Sequence, residues 1–263
     1  MILLVIDGFF YRTLRLGVVL ELVGYALANV SFMAYSGSAI PGPYMQQHQQ
    51  GRDERAAVDA LRSITWPSLW GNLFWCMGAV CILCFQGKVS SCPSCLSPRY
   101  RFGAHLLLIA ALCDLVWTAT NLTEYTLAVP FLHAPEQLTA AFLRRGTMIM
   151  LEMFSNSFVV IQSIFYGIAV YVLDVTHRDK TPCVGLSSVL LVVWPLSGVS
   201  ALIAAVVPGT WGESVFGRVF FGGYFFAVLV ALVGTAVWGF VYEPRVNRDC
   251  AAESEAGLID DNL

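Results

Sequence analysis

Residues 104–122 read AHLLLIAALCDLVWTATNL. As a helix rising 1.5 Å per residue this segment is about 28 Å long, close to the thickness of a bilayer's hydrocarbon core. It holds no Lys or Arg, and its one acid, Asp114, falls near the middle. Five more apolar stretches accompany it, at 16–35, 67–85, 147–173, 185–207 and 215–242, and only the last contains a basic residue, Arg218 near its start. In lipid, backbone groups must satisfy one another within helices. The sequence therefore predicts an all-α polytopic membrane bundle of about six transmembrane helices.

Composition agrees. The chain is 57% hydrophobic and 13% charged, against about 25% charged residues in soluble domains. The segments between the apolar stretches are too short for an independent soluble domain. A net charge of −3 is scattered along the chain, so no basic patch invites nucleic acid. Three regions are expected: an interfacial amino-terminal segment at 1–15, the six-span bundle at 16–242, and a disordered acidic tail at 243–263. A small-residue site at Ser38–Ala39 offers a rival reading in which the first span is a cleaved leader.

With an inside amino terminus, nine basic residues fall in the cytoplasm: Arg12, Arg15, Lys88, Arg99, Arg101, Arg178, Lys180, Arg245 and Arg248. Six fall outside: Arg52, Arg55, Arg62, Arg144, Arg145 and Arg218. The positive-inside rule then places both termini in the cytoplasm of an integral protein of the plasma membrane or an endomembrane. Aromatic residues at the stretch ends, Trp66, Trp70 and Trp211 on one side and Phe85, Tyr171, Trp238 and Tyr242 on the other, fit the two interfaces.

Helix packing in lipid relies on small residues that let backbones approach. Gly223, Ala227, Ala231, Thr235 and Gly239 recur every four residues and form one ridge on the sixth span, with a shorter ridge of Ser197, Ala201 and Ala205 on the fifth. These ridges are expected to face each other or another tightly packed helix. Pro195 should kink the fifth span.

Three acids lie within the spans: Glu21, Asp114 and Glu152. Glu21 and Glu152 fall about 7 Å inside the expected boundaries, within snorkelling reach of water. Asp114 does not. Asn29 and Gln162 sit at matching depth on the first and fourth spans, so Asn29, Asp114 and Gln162 are expected to form a midplane polar layer, with Glu21 and Glu152 as relay groups. The competing reading is an interhelical hydrogen-bond clamp with a protonated Asp114.

Cys81, Cys84, Cys92 and Cys95 form two C-x2-C pairs. The first pair belongs to a span, which makes a four-thiolate metal site awkward. Cys92 and Cys95 read instead as sites of acylation, or of a disulfide if their loop is luminal. No metal set, cofactor motif, nucleophile motif or phosphate loop appears. Ser68-Leu69-Trp70-Gly71 followed by Cys76 resembles the loop signature of claudin-like and amastin-like four-span proteins, with Pro67 where that signature has a cysteine.

The functional reading is a transporter-like protein that moves a proton, a cation or a small polar solute through the midplane site. The alternatives are a non-transporting scaffold or assembly partner, working through a membrane protein or a second copy in the bilayer, and a membrane thiol-redox enzyme. An impermeant thiol reagent discriminates orientation. Labelling of Cys92 and Cys95 from the cytoplasmic side alone is the expected outcome, and labelling from the opposite side overturns the orientation.

Overall fold

The computed structural model describes residues 13–30, 54–91, 97–128, 145–176, 184–206 and 215–260. They form six helices: α1 Thr13–Tyr25, continued by a π-helical turn at Ala26–Val30, α2 Glu54–Ser91, α3 Pro98–Ala128, α4 Arg145–Thr176, α5 Val184–Val206 and α6 Val215–Asp260. Each sequence neighbour packs on the next, and α6 returns to α1, so the helices close into a ring. No strand occurs among the described residues.

Among the described residues, four segments are long and apolar enough to cross a membrane: Trp66–Ser90, Pro98–Thr123, Ser157–Thr176 and Phe226–Arg248. Gly185–Ser200 of α5 is apolar but shorter. Burial points to the same solvent. Val23, Met77, Ile109, Ile161, Val192 and Phe226 are exposed on six different helices, whereas Glu21, Asp114, Gln162 and Thr235 are buried. A bundle with apolar side chains outside and acids inside is built for lipid. The chain is a helical integral membrane protein.

Helices α1 and α2 meet at their main chains. Gly17-Val-Val-Leu-Glu21-Leu-Val-Gly24 runs antiparallel to Gly71-Asn-Leu-Phe-Trp75-Cys-Met-Gly78. Seven residues are almost two full turns, so each glycine pair shares one face. A Cβ on Gly24 would lie 2.5 Å from the Gly71 carbonyl oxygen, and one on Gly71 would lie 2.7 Å from the amide nitrogen of Ala28. At the other end, a Cβ on Gly17 would meet the Gly78 carbonyl at 2.9 Å, and one on Gly78 would meet Glu21 Cγ at 2.7 Å. No other residue fits these positions, because the obstructing atoms are mostly backbone.

The ridge expected on the sixth span divides among several neighbours. Thr235 accepts a hydrogen bond of 2.9 Å from Trp194 Nε1 on α5. Gly239 instead faces Leu14 and Val18 of α1, at 3.4 Å from its would-be Cβ to Leu14 Cγ. Around Gly223 there is nothing within 4 Å. Ala231 is buried and Ala227 half-buried. Pro195 packs on Gly167 of α4, its Cδ 3.1 Å from the Cβ position there.

One expectation is corrected. The segment from Glu243 onward is not irregular chain: α6 continues through it to Asp260. Its first part is held by packing, since Glu243 and Val246 are buried and Lys88 of α2 donates to Asn247. The expected interfacial segment lies mostly outside the described residues, as do Cys92 and Cys95.

Overpacking a close contact costs about 1–3 kcal/mol. Gly71→Val is therefore expected to lower the thermal midpoint of the purified protein. It should also speed thiol labelling of Cys81, whose Cβ lies 3.2 Å from the Cβ position of Gly17. Gly223→Val, in open space, should change neither.

Candidate functional site: a buried acid pair and a helix latch

The glycine contact determines what sits between the glycines. Glu21 follows Gly17 by four residues and precedes Gly24 by three, and Trp75 has the same position between Gly71 and Gly78. Both side chains are thereby carried at the crossing, and Gly78, having no side chain, leaves the room that Glu21 Cγ occupies.

Glu21 is 1% exposed and Asp114 is not exposed at all. The two carboxyls are adjacent and interact directly, with Gln162 of α4 beside Asp114. Trp75 Nε1 donates to Asp114 Oδ2 at 3.0 Å. Tyr166 of α4 donates its hydroxyl proton to Glu21 Oε1 at 3.2 Å. Four helices, α1 to α4, thus meet at one polar cluster. Asp114 Oδ1 is buried and makes no hydrogen bond within the described structure.

The surroundings are tightly packed and aromatic. Trp75 stands edge-on to Tyr25 and Trp117, with ring centroids 5.9 and 4.7 Å apart. Tyr166 stacks on Trp194 of α5 at 5.2 Å. These rings fix the donors that face the carboxyls. Thr118, one turn beyond Asp114, turns its hydroxyl back to the Asp114 carbonyl at 2.9 Å and so offers no proton to the carboxyl itself.

Of the residues expected to form the midplane layer, Asp114 and Gln162 come together. Glu21 does not snorkel; it joins Asp114 in the interior. Its helix begins at Thr13, so Glu21 lies near the middle of Thr13–Val30. The side chains of Asn29 and Glu152 lie outside the described residues. Trp75 and Tyr166 are additional to the expected set. The glycines flanking Trp75 at the spacing that also flanks Glu21 were the available signal.

A second polar assembly closes the ring at the end where α1 begins. Glu243 of α6 accepts the backbone N–H groups of Leu14 at 3.0 Å and Arg15 at 3.1 Å. A carboxylate in that position caps the open amides of a helix N-terminus and complements its dipole. Arg15 completes the contact, with its Nε 3.6 Å from Glu243 Oε2. Arg15 Nη2 also donates to the carbonyl of Phe240 at 3.0 Å. That carbonyl is the one Pro244, four residues on, leaves without its helical partner. The Arg15 guanidinium lies over the Phe240 ring, 5.3 Å from its centroid. Nearby, Tyr242 donates to the Tyr100 hydroxyl of α3 at 3.1 Å and stacks on Trp238 at 4.4 Å. Glu243 and Pro244 thus make a latch at a weakened point of α6.

Removing a helix cap costs about 0.5–2 kcal/mol. Glu243→Ala should accelerate hydrogen exchange at the Leu14 and Arg15 amides, while Glu243→Gln, which keeps one acceptor oxygen, should fall between. Equal protection in all three proteins would remove the latch.

No curated protein and no solved structure gives a significant match to the chain. A family model does match, across residues 2–257, and by that match the chain belongs to the family described as protein of unknown function, DUF3273.

Proposed function

We propose that the chain is a proton-binding membrane protein of transporter type, in which Glu21 and Asp114 form the site that takes up and releases the proton. The observation that carries this reading is the pairing itself. Two carboxyls from different helices adjoin each other in the interior, and the donors they meet, Trp75 and Tyr166, are neutral. Two negative charges so close in a low-dielectric interior repel strongly, so the pair holds a proton or a cation between them. Ionisable groups placed this deep in a membrane bundle are costly and belong to functional sites by default.

The arrangement supplies a route from proton to movement. With one proton, the carboxyls hydrogen-bond across the junction of α1 and α3 and draw those helices together. Loss of that proton turns attraction into repulsion at the same junction. The glycine contact ties α2 to α1, so a displacement of Glu21 carries both helices. Seven residues before Glu21, the start of α1 is held to α6 by Glu243, which places the latch about 10 Å from the acid pair along the helix. The substrate class this supports is a proton, moved alone or with a small polar or cationic solute.

The test is proton movement across vesicles. Proteoliposomes loaded with a pH-sensitive dye should dissipate an imposed pH gradient faster than empty vesicles. Asp114→Asn and Glu21→Gln should each reduce the excess rate at least tenfold with the protein still folded. If the wild-type rate equals that of empty vesicles, or Asp114→Asn keeps the wild-type rate, transport is excluded. Weakened helix association in Asp114→Asn without any flux would instead assign the pair to a clamp in a scaffold protein.

A further inference from the structure

The groove between the start of α3 and the end of α4 is separate from the acid pair and its latch. It has a volume of about 350 Å³ and is lined by Pro98, Arg99, Phe102, Tyr171, Val172, Val175 and Thr176. Its floor follows from Gly103, whose Cβ position lies 3.0 Å from Leu173 Cγ and 3.1 Å from Val172 Cγ1, so the two helices close beneath it. Phe102 is 56% exposed beside it. Arg99 is exposed at the rim and makes no ion pair among the described residues.

We propose that this groove is a binding site for one anionic phospholipid, with Arg99 holding the headgroup phosphate and an acyl chain lying over Phe102, Val172 and Val175. Two observations select this occupant. Every lining residue belongs to one of two membrane-crossing segments, Pro98–Thr123 or Ser157–Thr176. The groove therefore opens at membrane depth, where lipid is the solvent. Its polarity is also graded, with a guanidinium at the very end of the span and aliphatic and aromatic surface deeper in. That gradient matches a lipid with phosphate above and hydrocarbon below. A guanidinium suits a phosphate because its planar donors pair with two oxygens at once.

Neighbouring polar groups leave the phosphate to Arg99. The Thr176 hydroxyl donates to the Val172 carbonyl at 2.7 Å. Tyr171 is half-buried among the lining residues. Basic pockets between transmembrane helices at an interface are a recurring means of holding acidic headgroups.

The experiment is native mass spectrometry of the full chain in detergent, with phosphatidylglycerol and phosphatidylcholine of identical acyl chains supplied in equal amounts. One basic residue at an anionic surface corresponds to a preference of about fivefold. The wild type should retain phosphatidylglycerol over phosphatidylcholine by that factor. Arg99→Gln should bring the ratio to about one, and Phe102→Ala should lower retention of both lipids. Arg248→Gln, which removes another exposed cation, should leave the ratio unchanged. Both groove residues are exposed, so their replacement should leave folding intact, checked by unchanged elution and thermal midpoint. The proposal is overturned by a wild-type ratio near one, by an unchanged ratio in Arg99→Gln, by equal loss in Arg248→Gln, or by full lipid retention in Phe102→Ala.

Discussion

Backbone contact between α1 and α2 is the constraint from which the interior of this bundle follows. Lipid offers no hydrophobic drive to hold helices together, so close packing and interhelical hydrogen bonds must do so. Gly17 with Gly78, and Gly24 with Gly71, let two antiparallel helices meet at their main chains. Helices that close cannot place large side chains between themselves at those levels. They can place one functional group each between the glycines, and here these are Glu21 and Trp75. The same glycines therefore create the packing and position the chemistry.

The acid pair then connects that contact to the rest of the ring. Asp114 comes from α3, Gln162 and Tyr166 from α4, and Tyr166 stacks on Trp194, which hydrogen-bonds Thr235 of α6. At the end where α1 begins, Glu243 returns from α6 to cap α1. Hydrogen bonds and one aromatic stack thus run from α1 through α3 and α4 to α5 and α6 and back to α1. In the proposed function, a change of charge at Glu21 or Asp114 would act on this circuit where α1 to α4 meet. The proposed proton site and the proposed motion thus share the same side chains.

Much of the architecture is legible in the sequence, since a helical membrane bundle needs only the six apolar stretches. Asp114 and Gln162 were recognisable as buried partners because both lie well inside their spans. The position of Glu21 is not, because the apolar run begins at Leu16 whereas the helix begins at Thr13. What extends it is Glu243, more than two hundred residues away, and no local pattern reveals such a cap. The glycines of α1 and α2 were visible but lie seven apart rather than four. A four-residue ridge favours α6, where the small residues are divided among α5, α1 and open space. The helical continuation beyond Tyr242 was hidden because a polar, acidic composition reads as unstructured until Val246 and Asn247 are seen packed against neighbours.

A proton held between Glu21 and Asp114 has a direct signature. A protonated carboxyl absorbs in the infrared apart from carboxylates and shifts when its proton is exchanged for deuterium. Purified protein in lipid at neutral pH should show such a band, exchanging slowly because the pair is buried. The band should disappear in the Glu21→Gln/Asp114→Asn double variant. Absence of the band in the wild type, or its persistence unchanged in the double variant, would contradict a shared proton at this site.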